Sequence, residues 1–329
     1  MSETGPDTAP TWEDWPIAAA MLQFSNVTES GGSTQDQDPE GWARTLSEVA
    51  GAGFTEVDPT DSWLRVADLS DARRAEFATA VKEAGLTVPA VSTARRSVID
   101  PEHGADNLAY GHRVIDAAVQ LGAGVVSFGF FRALTPAQRD ALWFWTAQGA
   151  KDPDDIDTWK LAVARIRELA VHAGEVGVEV SLEMYEDTYL GTADSAVKFV
   201  RDVDHPRVGL NPDLGNLQRL HRPVERAEAM VEKTLPYANY WHVKNYYRSE
   251  DATSGHIVTF PAPMESGVIN YRKSVQYAID HGFRGAFCVE HYGGDGLSVS
   301  ATNRDYLRRL LAQTRGVGAR PARTGPDPV

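Results

Sequence analysis

The segment VEVSLEMYEDTY, residues 178–189, sets the frame for the rest of the chain. Its first part is an apolar, β-branched run with the period of a buried strand, and it turns polar at Glu183. Three later segments end the same way. VGLNPD (208–213) stops at Asp213, YWHVKN (240–245) carries His242, and AFCVE (286–290) stops at Glu290. Three carboxylates and one imidazole, each ending a different strand, meet at one point only if those strands are parallel and neighbouring. That is the geometry at the C-terminal mouth of a β/α barrel.

Outward from this segment the alternation continues in both directions. Strands are predicted at 17–24, 54–59, 86–92, 124–130, 178–184, 207–213, 239–245 and 285–290. Helices are predicted at 39–52, 70–85, 105–121, 157–174, 193–203, 223–234, 270–281 and 302–314. Pro39 suits a first helical turn, Ser70 an N-cap and Gly85 a stop. Eight strands alternating with eight helices predict an α/β fold, a (β/α)8 TIM barrel, as a single domain over 16–315. Two connections far exceed the usual short βα loop: 131–159 after strand four and 246–267 after strand seven. Residues 1–15 and 316–329 are polar and contain prolines, and read as a flexible arm and tail.

Composition narrows the function classes. With 329 residues, 42% of them hydrophobic, the chain can bury one large core. A formal net charge of −14 argues against nucleic acid, whose binders neutralise phosphates with Lys and Arg. The single cysteine, Cys288, excludes an internal disulfide and, set among Phe287 and Val289, reads as a buried strand thiol. No apolar run reaches membrane-spanning length, and MSETGPDTAPTWEDWP lacks the basic start and apolar core of a signal peptide. The expected location is the cytoplasm.

Singly, each strand-end residue has an ordinary reading. Asp213 could be a turn residue in NPDLGN, and His242 a hydrogen-bonded core histidine. As a set they fit one divalent cation. Three hard oxygens and one imidazole suit Mn²⁺ best, with Mg²⁺, Co²⁺ or Fe²⁺ as alternatives, and do not suit a structural zinc. Lys244 follows His242 by two, so both point to the same side of the strand; it could stabilise an oxyanion or pair with Asp213. Asp58, ending strand two, could support the metal ligands or bind a substrate hydroxyl.

The motifs LEMYED, NPDLGN, WHVKNYYR and VEHYGGD, with GFTEVD (53–58) and MESGVINY (264–271), resemble those of the sugar phosphate isomerase/epimerase superfamily with its xylose-isomerase-like barrel. The resemblance spans 17–312 and implies that Glu183, Asp213, His242 and Glu290 are the metal ligands. In its ketose epimerase branch the two ligand glutamates also move protons on opposite faces of the sugar, which assigns those roles to Glu183 and Glu290. Arg248, six residues after His242, matches a substrate-binding arginine of that branch. Two substrate positions depart from the pattern: Asn216 replaces a histidine and Tyr189 replaces a glutamate.

The implied chemistry explains the residue types. A proton next to a carbonyl is too weakly acidic for a carboxylate alone. A cation holding the carbonyl and hydroxyl oxygens stabilises the developing enediolate, and carboxylates then remove and return the proton. Return to the other face is epimerisation, return to the neighbouring carbon is isomerisation, and loss of a β group is elimination. A branch that eliminates, the metal subunit of C-glycoside deglycosidases, resembles this chain too; it acts on 3-keto-C-glycosides of aromatic aglycones with a small β-rich partner subunit. Trp143, Trp145, Tyr246, Tyr247 and Phe260 lie in the two long loops and could hold an aromatic group, and His221 and His256 could add an acid or base. The expected ligand is a small carbohydrate or glycoside, in a homo-oligomer or with the partner subunit. An abasic-site endonuclease on the same barrel needs more histidines and a basic face, which this chain lacks.

Overall fold

The computed structural model describes residues 11–314; residues 1–10 and 315–329, and with them most of the expected arm and tail, lie outside it. In chain order the strands are β1 (Ile17–Ala20), β2 (Glu56–Asp58), β3 (Ala90–Ser92), β4 (Val125–Phe128), β5 (Glu179–Glu183), β6 (Val208–Asn211), β7 (Trp241–Val243), β8 (Asn245–Glu250), β9 (Ile257–Ala262) and β10 (Phe287–Val289). The helices are α1 (Pro39–Gly51), α2 (Asp71–Glu83), α3 (Gly104–Leu121), α4 (Pro136–Asp140), α5 (Ile156–Val176), α6 (Ala193–Val203), α7 (Gly215–Gln218), α8 (Ala227–Thr234), α9 (Tyr271–Asp280) and α10 (Gly296–Gln313). Local chemistry sets many of their ends. Asp38 and Ser70 cap α1 and α2 through backbone N–H groups, and Gly177 stops α5 in the left-handed region at φ 81°.

Eight strands form the barrel as two arcs of continuous parallel pairing, β3-β4-β5-β6 and β2-β1-β10-β7. The arcs join at two seams, each with one parallel bridge: Glu56 with Thr87, and Leu210 with Ala238. Side chains reinforce both seams. Asp58 Oδ1 accepts from the Ser92 N–H at 2.9 Å, and Asn211 Oδ1 accepts from the His242 N–H at 2.7 Å. Inside the ring, Ala18, Ala20, Ala90, Ala286 and Cys288 pack with Tyr240, small residues suiting a narrow interior. The larger core lies between strands and helices, where Trp42, Phe77, Phe199 and Trp241 are fully buried.

Three features differ from the sequence expectation. The connection after β7 is an antiparallel hairpin, β8 with β9, because Asn245–Glu250 and Ile257–Ala262 alternate around a turn at Gly255, φ 69°. Helix α10 starts at Gly296, ahead of the predicted 302, because Asp295 caps it by accepting from Ser298 N–H. Trp15, at the end of the expected arm, is buried; its Nε1 donates to the Gly285 carbonyl at 2.9 Å and its ring packs on Phe283 and Phe287.

Candidate metal centre

The four strand-end residues converge. Glu183 ends β5, Asp213 follows β6, His242 lies in β7 and Glu290 follows β10, and all four are buried. Ligand atoms of Glu183, Asp213 and His242 lie within 4.8 Å of one another. His242 Nδ1 is 3.0 Å from Glu290 Oε1 and 3.5 Å from Glu183 Oε2. Lys244 joins them: its Nζ donates to Asp213 Oδ2 and to Glu290 Oε2. The Lys244 side chain is therefore a partner of the carboxylates, one of the two roles its position allowed.

Each glutamate presents one oxygen and has the other held. Asn216 Nδ2 donates to Glu183 Oε1 at 3.0 Å and to the Met184 carbonyl at 3.0 Å, leaving Oε2 toward His242. Lys244 holds Glu290 Oε2, leaving Oε1 toward His242. Gly215 makes room, since a Cβ there would lie 2.5 Å from Lys244 Cγ. Such outer partners fix the orientation of metal ligands.

Asp58 organises the far side of the imidazole. Its Oδ2 accepts from Ser92 Oγ at 2.6 Å and from the Tyr240 hydroxyl at 2.6 Å, and Ser92 Oγ is 3.2 Å from His242 Nε2. The Nε2 side is thus hydrogen-bonded, whereas Nδ1, buried among carboxylates, has no partner in hydrogen-bonding geometry. A buried orphan nitrogen facing three carboxylates is what a metal ligand looks like. The donor set fits a hard dication: with the imidazole neutral and the carboxylates ionised, as ligands must be, three carboxylates against one ammonium leave two negative charges for the ion to offset.

The electrostatics follow from this crowding. Burial pushes the Glu183 carboxyl up to about 7, with Asp213 and Glu290 adding to it and His242 opposing. Burial alone would push the His242 imidazole down, but Glu183 and Glu290 outweigh it and hold the ring well above its ordinary value. Glu290, for which burial acts upward, is held well below the usual carboxylate range by Lys244 and His242. Two glutamates flanking one nitrogen with opposite proton affinities form a pair suited to donating and accepting protons.

The aromatic residues of the two long loops close over this centre. Trp145, Leu220 and Tyr246 are buried together, with Trp143, Phe144 and Tyr292 packed around them. Trp145 stacks on Trp143 at 5.0 Å and meets Tyr246 at 5.6 Å and Tyr292 at 5.3 Å. Tyr292 in turn lies 5.7 Å from Lys244 Nζ. In HYGGDG, Gly293 lies where a Cβ would approach Trp143 to 2.6 Å, at φ 80°.

The other expected residues make contacts of their own. Arg248 donates to the carbonyls of Gln218, Leu220 and Arg222 and to Glu250, so its guanidinium braces the turn after α7. His256 is exposed beyond the hairpin turn, with the described contacts of its backbone made to Asp251 and Ser254. His221 Nε2 accepts from Thr259 N–H at 3.2 Å. Tyr247 and Phe260 pair across the hairpin on its exposed face. Cys288 is fully buried, and burial pushes its thiol well up. Three contributors escaped the sequence reading. Tyr240 was within reach, being two residues before His242; Ser92 ends β3 without a charge to mark it, and Arg219, the residue after the short α7, carries no periodic signal.

Comparison with known proteins bears on this geometry. The profile of the family described as xylose isomerase-like TIM barrel matches residues 46–311. The structure of a xylose isomerase-like TIM barrel protein from Mycobacterium smegmatis, in complex with magnesium, is 47% identical with a TM-score of 0.89, covering 92% of this chain and 99% of that one. The L-ribulose-5-phosphate 3-epimerase UlaE of Escherichia coli is 24% identical over 281 residues, 83% of this chain and 90% of the relative. The 3-keto-D-glucoside 4-epimerase YcjR of Escherichia coli shares the fold at 15% identity and a TM-score of 0.61, covering 90% of this chain and 99% of that one.

Proposed function

Because the chain belongs to the xylose isomerase-like TIM barrel family, we propose that it is a divalent-metal-dependent isomerase or epimerase that moves a proton next to the carbonyl of a carbohydrate. One observation carries the reading: Glu183 and Glu290 face the unpartnered Nδ1 of His242 beside Asp213. Glu183, Asp213, His242 and Glu290 hold the ion in this proposal. Mn²⁺ suits the donor set, and the magnesium in the Mycobacterium smegmatis relative supports a hard dication. When bound, the ion supplies Lewis-acid stabilisation of negative charge on the substrate's oxygens.

The chain's own residues do the rest. Glu183 and Glu290 exchange the substrate proton, one removing it and the other returning it. Lys244 keeps Glu290 ionised, and Asn216 aims Glu183. Trp145, Tyr246 and Tyr292 exclude water, which strengthens every charge interaction below them. The rings favour a second reading, elimination on a 3-keto-C-glycoside of an aromatic aglycone. The exposed Tyr247–Phe260 pair supports a contact with a second copy or a small β-rich partner subunit.

The test is proton exchange. Manganese-loaded protein is incubated in D2O with a panel of ketoses, aldoses and 3-keto-glycosides, and deuterium at the carbon next to the carbonyl is followed by NMR. Incorporation with retention of the substituents supports isomerisation or epimerisation, and release of the aglycone supports elimination. Absence of both across the panel, with metal bound, sinks the reading.

A further inference from the structure

Four hydrogen-bonding atoms under the aromatic cover have no partner in hydrogen-bonding geometry: Arg219 Nε and Nη1, Trp145 Nε1 and the Tyr246 hydroxyl. Buried polar atoms without partners are rare, and each costs folding free energy, so four in one cluster require an explanation. All four can donate. The Arg219 guanidinium carbon lies 5.0 Å from the Trp145 ring and 5.8 Å from the Tyr292 ring, and Lys244 Nζ lies 5.7 Å from that same Tyr292 ring. The cluster is therefore the next layer above the metal centre.

Arg219 is fully buried, and only its Nη2 is engaged, donating to both Glu186 oxygens at 3.0 and 2.9 Å. Arg248, whose sequence position suggested a substrate contact, donates to the carbonyls of Gln218, Leu220 and Arg222, the turn that carries Arg219. We propose that Arg219, with Tyr246 and Trp145, binds acceptor oxygens of the substrate, and that this site selects an unphosphorylated sugar over a sugar phosphate. The inference rests on the function proposed above and names its substrate class.

Charge balance makes the choice between the two. The cations around the mouth are already neutralised: Arg219 by Glu186, Arg222 by Asp187, Arg132 facing Asp152 at 3.6 Å, and Lys244 by Asp213 and Glu290. Arg95 is half-buried and has no carboxylate partner among the described residues, its Nη1 donating to the Tyr185 hydroxyl and the Arg132 carbonyl, whereas Arg139 and Lys151 on the loop after β4 are exposed to solvent. A phosphate monoester brings about −1.5 to −2 charge, and one such cation does not offset it beside a buried Glu186. Hydroxyl and carbonyl oxygens need donors without net charge, which the Arg219–Glu186 pair supplies. The surrounding rings add apolar faces for the C–H surface of a sugar ring or an attached aromatic group.

The experiment compares Tyr246→Phe, Trp145→Phe and Arg219→Lys in manganese-loaded enzyme, with metal content measured for each and deuterium exchange followed on paired free and phosphorylated sugars. Tyr246→Phe deletes one donor while keeping the ring volume, so it retains the fold even if the arginine change does not. Trp145→Phe deletes a donor and also shrinks the ring, so circular dichroism and the metal content check that its fold is kept. The expected result is a KM for the free sugar raised about 3- to 10-fold per lost donor, with metal content unchanged and kcat little altered. A KM unchanged in both phenylalanine variants overturns the proposal. A higher kcat/KM for the phosphate than for its free sugar overturns the proposal while leaving the proposed function standing. Absence of exchange with every sugar overturns both.

Discussion

Asp58 Oδ2 lies 3.7 Å from Nε2 of His242, while Nδ1 of the same ring lies 3.0 Å from Glu290. One imidazole thus has a structural side and a ligand side. Asp58, held by Ser92 and Tyr240, fixes which nitrogen carries the proton. Asp58→Asn is expected to weaken metal binding by about 10- to 100-fold. Titration against a chelating dye measures this, with circular dichroism reporting that the barrel is retained. An unchanged affinity shows that ring orientation is set elsewhere.

Metal uptake should depend on pH through Glu183 and through His242, whose imidazole is held well above its ordinary value and must also lose a proton to serve as a ligand. The Glu183 carboxyl, pushed up to about 7, must lose its proton to serve as a ligand. Affinity is therefore expected to fall as pH drops below about 7, with protons released on binding at lower pH. Calorimetry in buffers of different ionisation enthalpy counts those protons. A proton release near zero at about pH 6 contradicts the assignment.

Arg248 offers a choice between two roles. Its bonds to three carbonyls predict that Arg248→Ala lowers stability by about 1–3 kcal/mol, with metal content retained. Denaturant unfolding measures the loss. A large fall in kcat/KM with stability intact would instead favour the substrate contact implied by the epimerase resemblance.

Asp61 gives the barrel a pH-dependent liability away from the metal. Burial pushes its carboxyl from 3.8 up to about 7, against the pull of the Tyr110 hydroxyl and the Ala94 N–H. The folded state then holds a proton that the unfolded chain has already lost. Its contribution to stability is greatest below 3.8 and is lost as pH rises toward about 7. Asp61→Asn should remove that loss, so the variant gains on the order of 1–4 kcal/mol relative to the native chain between about pH 4 and about pH 8. Urea midpoints of both proteins across that range check it; parallel curves contradict it.

The barrel was legible because buried parallel strands and amphipathic helices have distinct periods, and because four ligand-type residues end four strands. Helix α6 occupies the residues predicted from its pattern, Ala193–Val203. The hairpin after β7 was not legible, since its strands are bounded by polar residues and Pro261 interrupts the second. Arg219 and Glu186 were equally hidden. A charged pair looks like surface in one dimension, and only the rings folded over it, from residues 143–145 and from Tyr292, place it inside. Asn216 appeared as a departure from a pattern; its hydrogen bond to Glu183 came from the three-dimensional turn after β6.

The two seams of the barrel set an order of events. The arc β3-β4-β5-β6 is continuous in the chain, whereas the arc β2-β1-β10-β7 draws on both ends. Trp15 meets its Gly285 partner across 270 residues, so the first strand made has no neighbour on one side until the last is synthesised. The Asn211–His242 bond, by contrast, spans only 31 residues and joins consecutive barrel strands, so it can form before β10 is made. A nascent chain therefore completes its ligand set only when Glu290, after β10, emerges, and capture of a metal by the growing polypeptide before that would be at most transient.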